Sequence, residues 1–180
     1  NSVLEYQRIQ KNYTQFYNLD SISKHISLIK NTKEYKRELE IRKSIKFEEN
    51  KISKLLLNKF NQEALLSKTN DNYRWWKKEL KRVDKKFTKS KSIFTKKMIK
   101  RVRYRIMATA IETSNTYLIK KDFKRVLYCD SLLVILEPKM PEVYFRLAQR
   151  YARTNKYAKV ISNLKKAIKL GFNNKNAFLK

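Results

Sequence analysis

Residues 141–174 read PEVYFRLAQRYARTNKYAKVISNLKKAIKLGFNN, and the 34 residues before them, 107–140, read MATAIETSNTYLIKKDFKRVLYCDSLLVILEPKM. In the later stretch Tyr144, Leu147, Ala148 and Tyr151 recur at the three-and-four spacing of one helix face. The polar run Thr154-Asn155-Lys156 breaks that face. Tyr157, Val160, Ile161, Leu164, Ala167 and Ile168 then make a second one, closed by Leu170-Gly171-Phe172. Thirty-four positions earlier stand Ala110 and Tyr117, the polar pair Lys121-Asp122, then Phe123, Val126 and Leu127, and finally Leu136-Glu137-Pro138. Each unit therefore reads as helix, turn, helix, and the period sends the search for function to a binding surface and away from a catalytic pocket.

With these residues the chain resembles the tetratricopeptide repeat (TPR) family over residues 107–174. Ala148 and Ala167 match the family's small positions where helices touch, and Phe123 and Tyr157 match the aromatic that opens each second helix. The resemblance implies a groove lined by the first helix of each unit. Ile111, Glu112, Asn115 and Ile119 would face it from the first unit, and Phe145, Arg146, Gln149 and Arg153 from the second. Asn115 with Arg146 matches the family's clamp for a peptide's terminal carboxylate. Arg146, Arg150 and Arg153 would leave the groove positive and suited to an acidic protein or peptide partner. Two units fall short of the roughly three that such stacks need, so the N-terminal helices are expected to cap them.

One glycine and two prolines leave few sites for tight β-turns, and apolar residues keep a helical spacing through most of the chain. The expected fold is all-α: elongated helical hairpins ending in two TPR-like repeats. Residues 1–106 form an N-terminal helical region, 107–174 the repeats, and 175–180 a short capping segment. In the first region Tyr6, Ile9, Tyr13 and Phe16 mark one helix. Asp20 or Ser21 is placed to cap a second helix bearing Ile22, Ile26 and Ile29, and Asn31 with Glu34 has the spacing of a capping box for a third, over 33–67. Thr69-Asn70-Asp71-Asn72 is expected to stop it. Gly171 sits where a helix ends in the left-handed conformation, and Phe178 and Leu179 are expected to fold back near Ile161 and Leu164.

Lys and Arg number 44 against 16 Asp and Glu, a formal charge of +28. Between Arg74 and Arg105 fifteen basic residues face two acidic ones, Glu79 and Asp84. Arg74, Lys78 and Arg82 on one expected helix and Lys97, Arg101 and Arg105 on the next stand three or four residues apart, an array able to meet phosphates without reading sequence. Trp75 and Trp76 point about 100° apart on a helix. Trp76 shares the apolar face of Leu80, Val83 and Phe87. Trp75 is then either a packing residue or an exposed stacking platform. Sequence-independent nucleic-acid binding, or attachment to an anionic membrane surface, is the alternative to a protein partner.

A single His, a single Cys and a single Gly leave no His-based metal cluster, zinc ribbon or phosphate loop, and the acids stand near Lys or Arg, as in solvated ion pairs. No catalytic, cofactor or metal residue is assigned, and the chain reads as non-enzymatic. Cys129 reads as a structural thiol. The longest apolar run, Leu132–Leu136, is too short to cross a bilayer. Opening on Asn1, the chain is read as an exported protein, periplasmic or lipid-anchored at the cell envelope, in preference to a cytoplasmic one.

Overall fold

A computed structural model describes residues 2–12, 19–65, 73–88 and 93–174. The fold is all-α. Among the described residues there are eight helices and no strand: α1 (Ser2–Asn12), α2 (Leu19–Asn31), α3 (Lys33–Leu65), α4 (Arg74–Thr88), α5 (Ile93–Ile119), α6 (Phe123–Leu136), α7 (Pro141–Ala152) and α8 (Tyr157–Lys169). None is long and apolar enough to cross a membrane. The chain divides into two compact units, Asn1–Glu48 and Glu49–Lys180.

In the first unit α1 and α2 pair, with Val3 and Ile26 buried and the rings of Tyr6 and His25 stacked at 6.4 Å. The expected caps shift by a residue or two. Helix α2 begins at Leu19, so Asp20 and Ser21 lie inside its first turn. The start of α3 is capped by Thr32, whose hydroxyl oxygen accepts the Tyr35 N–H at 3.2 Å, and not by Asn31. Thr32 also donates to the Ile29 carbonyl at 2.8 Å, so one side chain joins the end of α2 to the start of α3. The Glu38–Arg42 pair forms one turn on. Tyr13 and Phe16, the stop at Thr69–Asn72 and the capping segment 175–180 with Phe178 and Leu179 lie outside the described residues.

The second unit holds the larger core. Ile52, Leu56, Phe60 and Ala64 of α3 recur every four residues and are buried, as are Trp76, Leu80 and Val83 of α4 and Met98, Val102, Ile106 and Ala110 of α5. Each fully buried large side chain contributes on the order of 1.5–3 kcal/mol. A polar lattice fixes the register of these helices. Glu63 of α3 accepts from Trp76 Nε1 at 2.7 Å and from the Tyr128 hydroxyl at 2.5 Å, and pairs with Lys59 at 2.9 Å. Phe60 and Tyr73 stack on Tyr128 at 6.2 and 5.8 Å. Arg103 bridges Asp84 (2.7 Å) and the Leu136 carbonyl (2.6 Å), tying α5 to α4 and to the last turn of α6. Helix α5 runs unbroken through the 106/107 boundary, as the continuous apolar phase from Phe94 to Ala110 requires.

The 34-residue period is present in the backbone. Lys121 and Asn155 both have positive φ, 57° and 55°. In the first turn the Asp122 N–H reaches the Tyr117 carbonyl (2.9 Å) and the Lys121 N–H the Leu118 carbonyl (3.0 Å). In the second, the Lys156 N–H reaches Tyr151 (3.1 Å) and the Asn155 N–H reaches Ala152 (3.1 Å). These are the paired six-to-one and five-to-two bonds of a Schellman ending, repeated 34 residues apart. A third follows α8: Gly171 has φ 96°, and Phe172 and Gly171 donate to Ala167 (3.0 Å) and Ile168 (2.9 Å). The turns fold α5 back on α6 and α7 back on α8, while Pro141 opens α7 at a position needing no N–H donor.

One expected face is not covered. Ala167 is buried and Val160 and Leu164 half-buried, but Tyr157, Ile161 and Ile168 are 64%, 55% and 57% exposed. Their period is helical, yet among the described residues no further layer lies over α8.

Candidate partner-binding surface

Because α5 is one helix, residues assigned to separate surfaces share a face. Arg101, Arg105, Ala108, Glu112, Asn115 and Ile119 succeed one another at three- or four-residue steps, carrying the basic segment directly into the first repeat. On this face a cleft of about 860 Å³ opens between α5 and the α6–α7 connection. Tyr104, Met107, Ala108 and Met140 give it an apolar floor. Lys100, Arg101 and Arg105 supply cations from successive turns of α5, and the two carboxylates come from Glu112 and Glu137. Tyr104 is 73% exposed, a large aromatic left standing among three cations. Beyond Glu112 the face stays open, with Asn115 exposed and Ile119 84% exposed.

The groove residues of the second unit divide differently. Arg146 and Asn115 do meet, Nη2 to Oδ1 at 3.0 Å. Arg146 is not vacant, however: its Nε donates to Asp130 Oδ1 at 2.9 Å, and Arg150 Nε donates to Asp130 Oδ2 at 2.9 Å. Asp130 is fully buried in α6. The carboxylate that the clamp was expected to take from a partner is thus supplied from within the fold. Arg150, expected to make the groove positive, is itself buried and paired. Phe145 is half-buried and stacks on Phe172 at 4.4 Å and 15°, closing the turn after α8. Gln149 and Arg153 are exposed.

The cationic array is partly neutralised. Arg82 pairs within α4 with Glu79, which this guanidinium holds below the ordinary carboxylate range. Arg101 makes a bidentate contact with Glu49, at 3.1 and 2.6 Å, and Glu49 is buried. That hydrogen bonding raises the guanidinium's pKa further, so Arg101 stays charged while anchoring α5 to α3. Arg74, Lys78, Lys97 and Arg105 are exposed. Trp75 stands edge-on to Trp76 at 5.2 Å and 86°, with Lys59 Nζ 5.4 Å from its ring centre. It is half-buried and packs; it is not an open platform.

Sequence reasoning missed Tyr104, Met107 and Met140, which lie off the core phase of α5 or in the connection after α6. It also missed Asp130, although a single acid in the otherwise apolar stretch of α6 was a visible signal of an internal ion pair. No family model, curated protein or solved structure matches the chain.

Proposed function

We propose that this chain is a non-enzymatic protein-interaction module, built on two TPR-like repeats, that holds an acidic segment of a partner along α5. The observation that carries the reading is the cleft: an apolar floor of Tyr104, Met107 and Met140 bordered by Lys100, Arg101 and Arg105, continuous with the open face at Asn115 and Ile119. Apolar contact area supplies affinity, while the cations select carboxylates and speed encounter. The matched occupant is a short peptide with an aliphatic or aromatic side chain flanked by Asp or Glu. Arg153 and Gln149 would extend the contact onto α7.

Fluorescence anisotropy with a synthetic peptide of leucine or phenylalanine set among glutamates tests this, against a polyglutamate of equal charge. The apolar-containing peptide should bind more tightly, and Tyr104→Ala or Lys100→Glu/Arg105→Glu should weaken it about tenfold or more. Arg101 is left intact because its loss would strand buried Glu49. Equal binding of polyglutamate, or no loss in the variants, would reduce the surface to bulk charge. Tighter binding of a random DNA duplex near physiological salt, lost when Lys97 and Arg105 are neutralised, would favour the nucleic-acid reading instead.

A further inference from the structure

The exposed stripe on α8 is the counterpart of a surface the molecule already uses. Counting back 34 residues from Tyr157, Ile161, Leu164 and Ile168 gives Phe123, Leu127, Asp130 and Val134 of α6, and both helices start from turns of the same geometry. On α6 that side receives α7, through Asp130 and the two arginines it binds. On α8 the same side presents three large apolar residues more than half exposed. Its charge is inverted as well. Leu164 replaces Asp130, and the charged residues of α8 are Lys159, Lys165, Lys166 and Lys169, with no acid among them. All four are exposed.

We infer that α8 docks an acidic amphipathic helix of another protein, laid across Tyr157, Ile161 and Ile168 as α7 is laid across α6. The helical form follows from the surface's counterpart on α6. The acidic character follows from the lysines, since a second copy of this chain would bring two all-lysine faces and two +28 molecules together. The inference rests on the 34-residue geometry alone and is separate from the α5 cleft.

The probe is a synthetic 18-residue helix with leucines on one face and glutamates elsewhere, compared with the same peptide carrying lysines for glutamates. With the full chain at near-physiological salt, the acidic helix should bind and the lysine peptide should not. Ile161→Ser/Ile168→Ser leaves the charge unchanged and alters only exposed side chains; it should weaken binding by about tenfold or more. Lys165→Glu/Lys169→Glu should weaken it too, while Lys100→Glu/Arg105→Glu, in the α5 cleft, should leave it within about twofold. Equal affinity for the Ile161/Ile168 variant overturns the inference, because bulk charge then accounts for the binding. So does isoleucine-dependent self-association in sedimentation, or isoleucine-dependent binding to phosphatidylserine vesicles with none to the peptide. Binding that emerges only on deleting residues 175–180 overturns it as well, by making the chain's own end the occupant.

Discussion

Arg150 of α7 donates from Nε to Asp130 Oδ2 of α6 across 2.9 Å, with Asp130 fully buried and Arg150 nearly so. Arg146 holds the other oxygen at 2.9 Å. Two cations on one carboxylate make this the contact that joins the repeats. Removing the acid strands both guanidiniums in a place where water cannot replace it. Asp130→Ala should therefore cost about 3–5 kcal/mol, and Asp130→Asn, which keeps an acceptor, less. Urea denaturation of both variants checks the order. A loss under about 1 kcal/mol for Asp130→Ala would show that the arginines re-solvate freely.

Glu63 gives the fold a pH dependence. Burial by itself would raise its pKa, but hydrogen bonds from Tyr128, Lys59 and Trp76 and the charge on Lys59 outweigh burial and hold it below 4.5. A carboxyl whose folded value is depressed stabilises the fold above its unfolded value, and that contribution fades as pH falls through the folded value. Wild type should exceed Glu63→Gln in stability at pH 7, and the difference should narrow below about pH 4.5. Urea midpoints at pH 7 and pH 3 measure it. A constant gap would assign the effect to packing.

Ser114 is a flaw the repeat makes visible. It is fully buried in α5, its hydroxyl has no hydrogen-bond partner among the described residues, and 34 residues later the position is Ala148. Ser114→Ala removes an unsatisfied polar group and improves helix propensity, and should stabilise by about 1 kcal/mol. A destabilised variant would mean that the hydroxyl is hydrogen-bonded in solution, through a bound water for example.

Cys129 is fully buried, and burial first, then the neighbouring Asp130 charge, pushes its thiol up to about 12. Since the thiolate is the reactive form, a chromogenic disulfide reagent should label it only as fast as the chain opens. Labelling of the folded protein at the rate of the unfolded one would contradict this packing.

The sequence made the hairpins legible because their apolar period, turn composition and 34-residue spacing agree, and each of the three follows from local chemistry. It overreached where a period says which side of a helix is apolar but not whether another layer covers it. Tyr157, Ile161 and Ile168 share the phase of buried Ala167 and are exposed all the same. Arg146 and Arg150 read as groove cations because the acid that binds them lies 16 and 20 residues away, on another helix. The cleft was hidden for a similar reason. Tyr104 and Met140 meet only once α6 has folded back along α5.

Three helix endings of one geometry carry three different residues at the left-handed position: Lys121 (φ 57°), Asn155 (φ 55°) and Gly171 (φ 96°). A side chain with a Cβ is strained there, Asn less than most, and glycine not at all. Lys121 is exposed, so Lys121→Gly removes strain without removing a packed group. The gain is offset in part by the greater freedom of glycine in the unfolded chain, leaving about 0.5–1 kcal/mol of stabilisation. Asn155→Gly should be nearly neutral, within about 0.5 kcal/mol, because Asn already tolerates the conformation. Gly171→Ala should cost about 1 kcal/mol. That cost is purely backbone strain, since a Cβ built at Gly171 meets nothing within 4 Å. Urea midpoints should rank the variants with Lys121→Gly above wild type, Asn155→Gly level with it and Gly171→Ala below. If Lys121→Gly instead destabilises, the first turn does not share the left-handed closure of the other two, and the repeat in backbone geometry fails at its first copy.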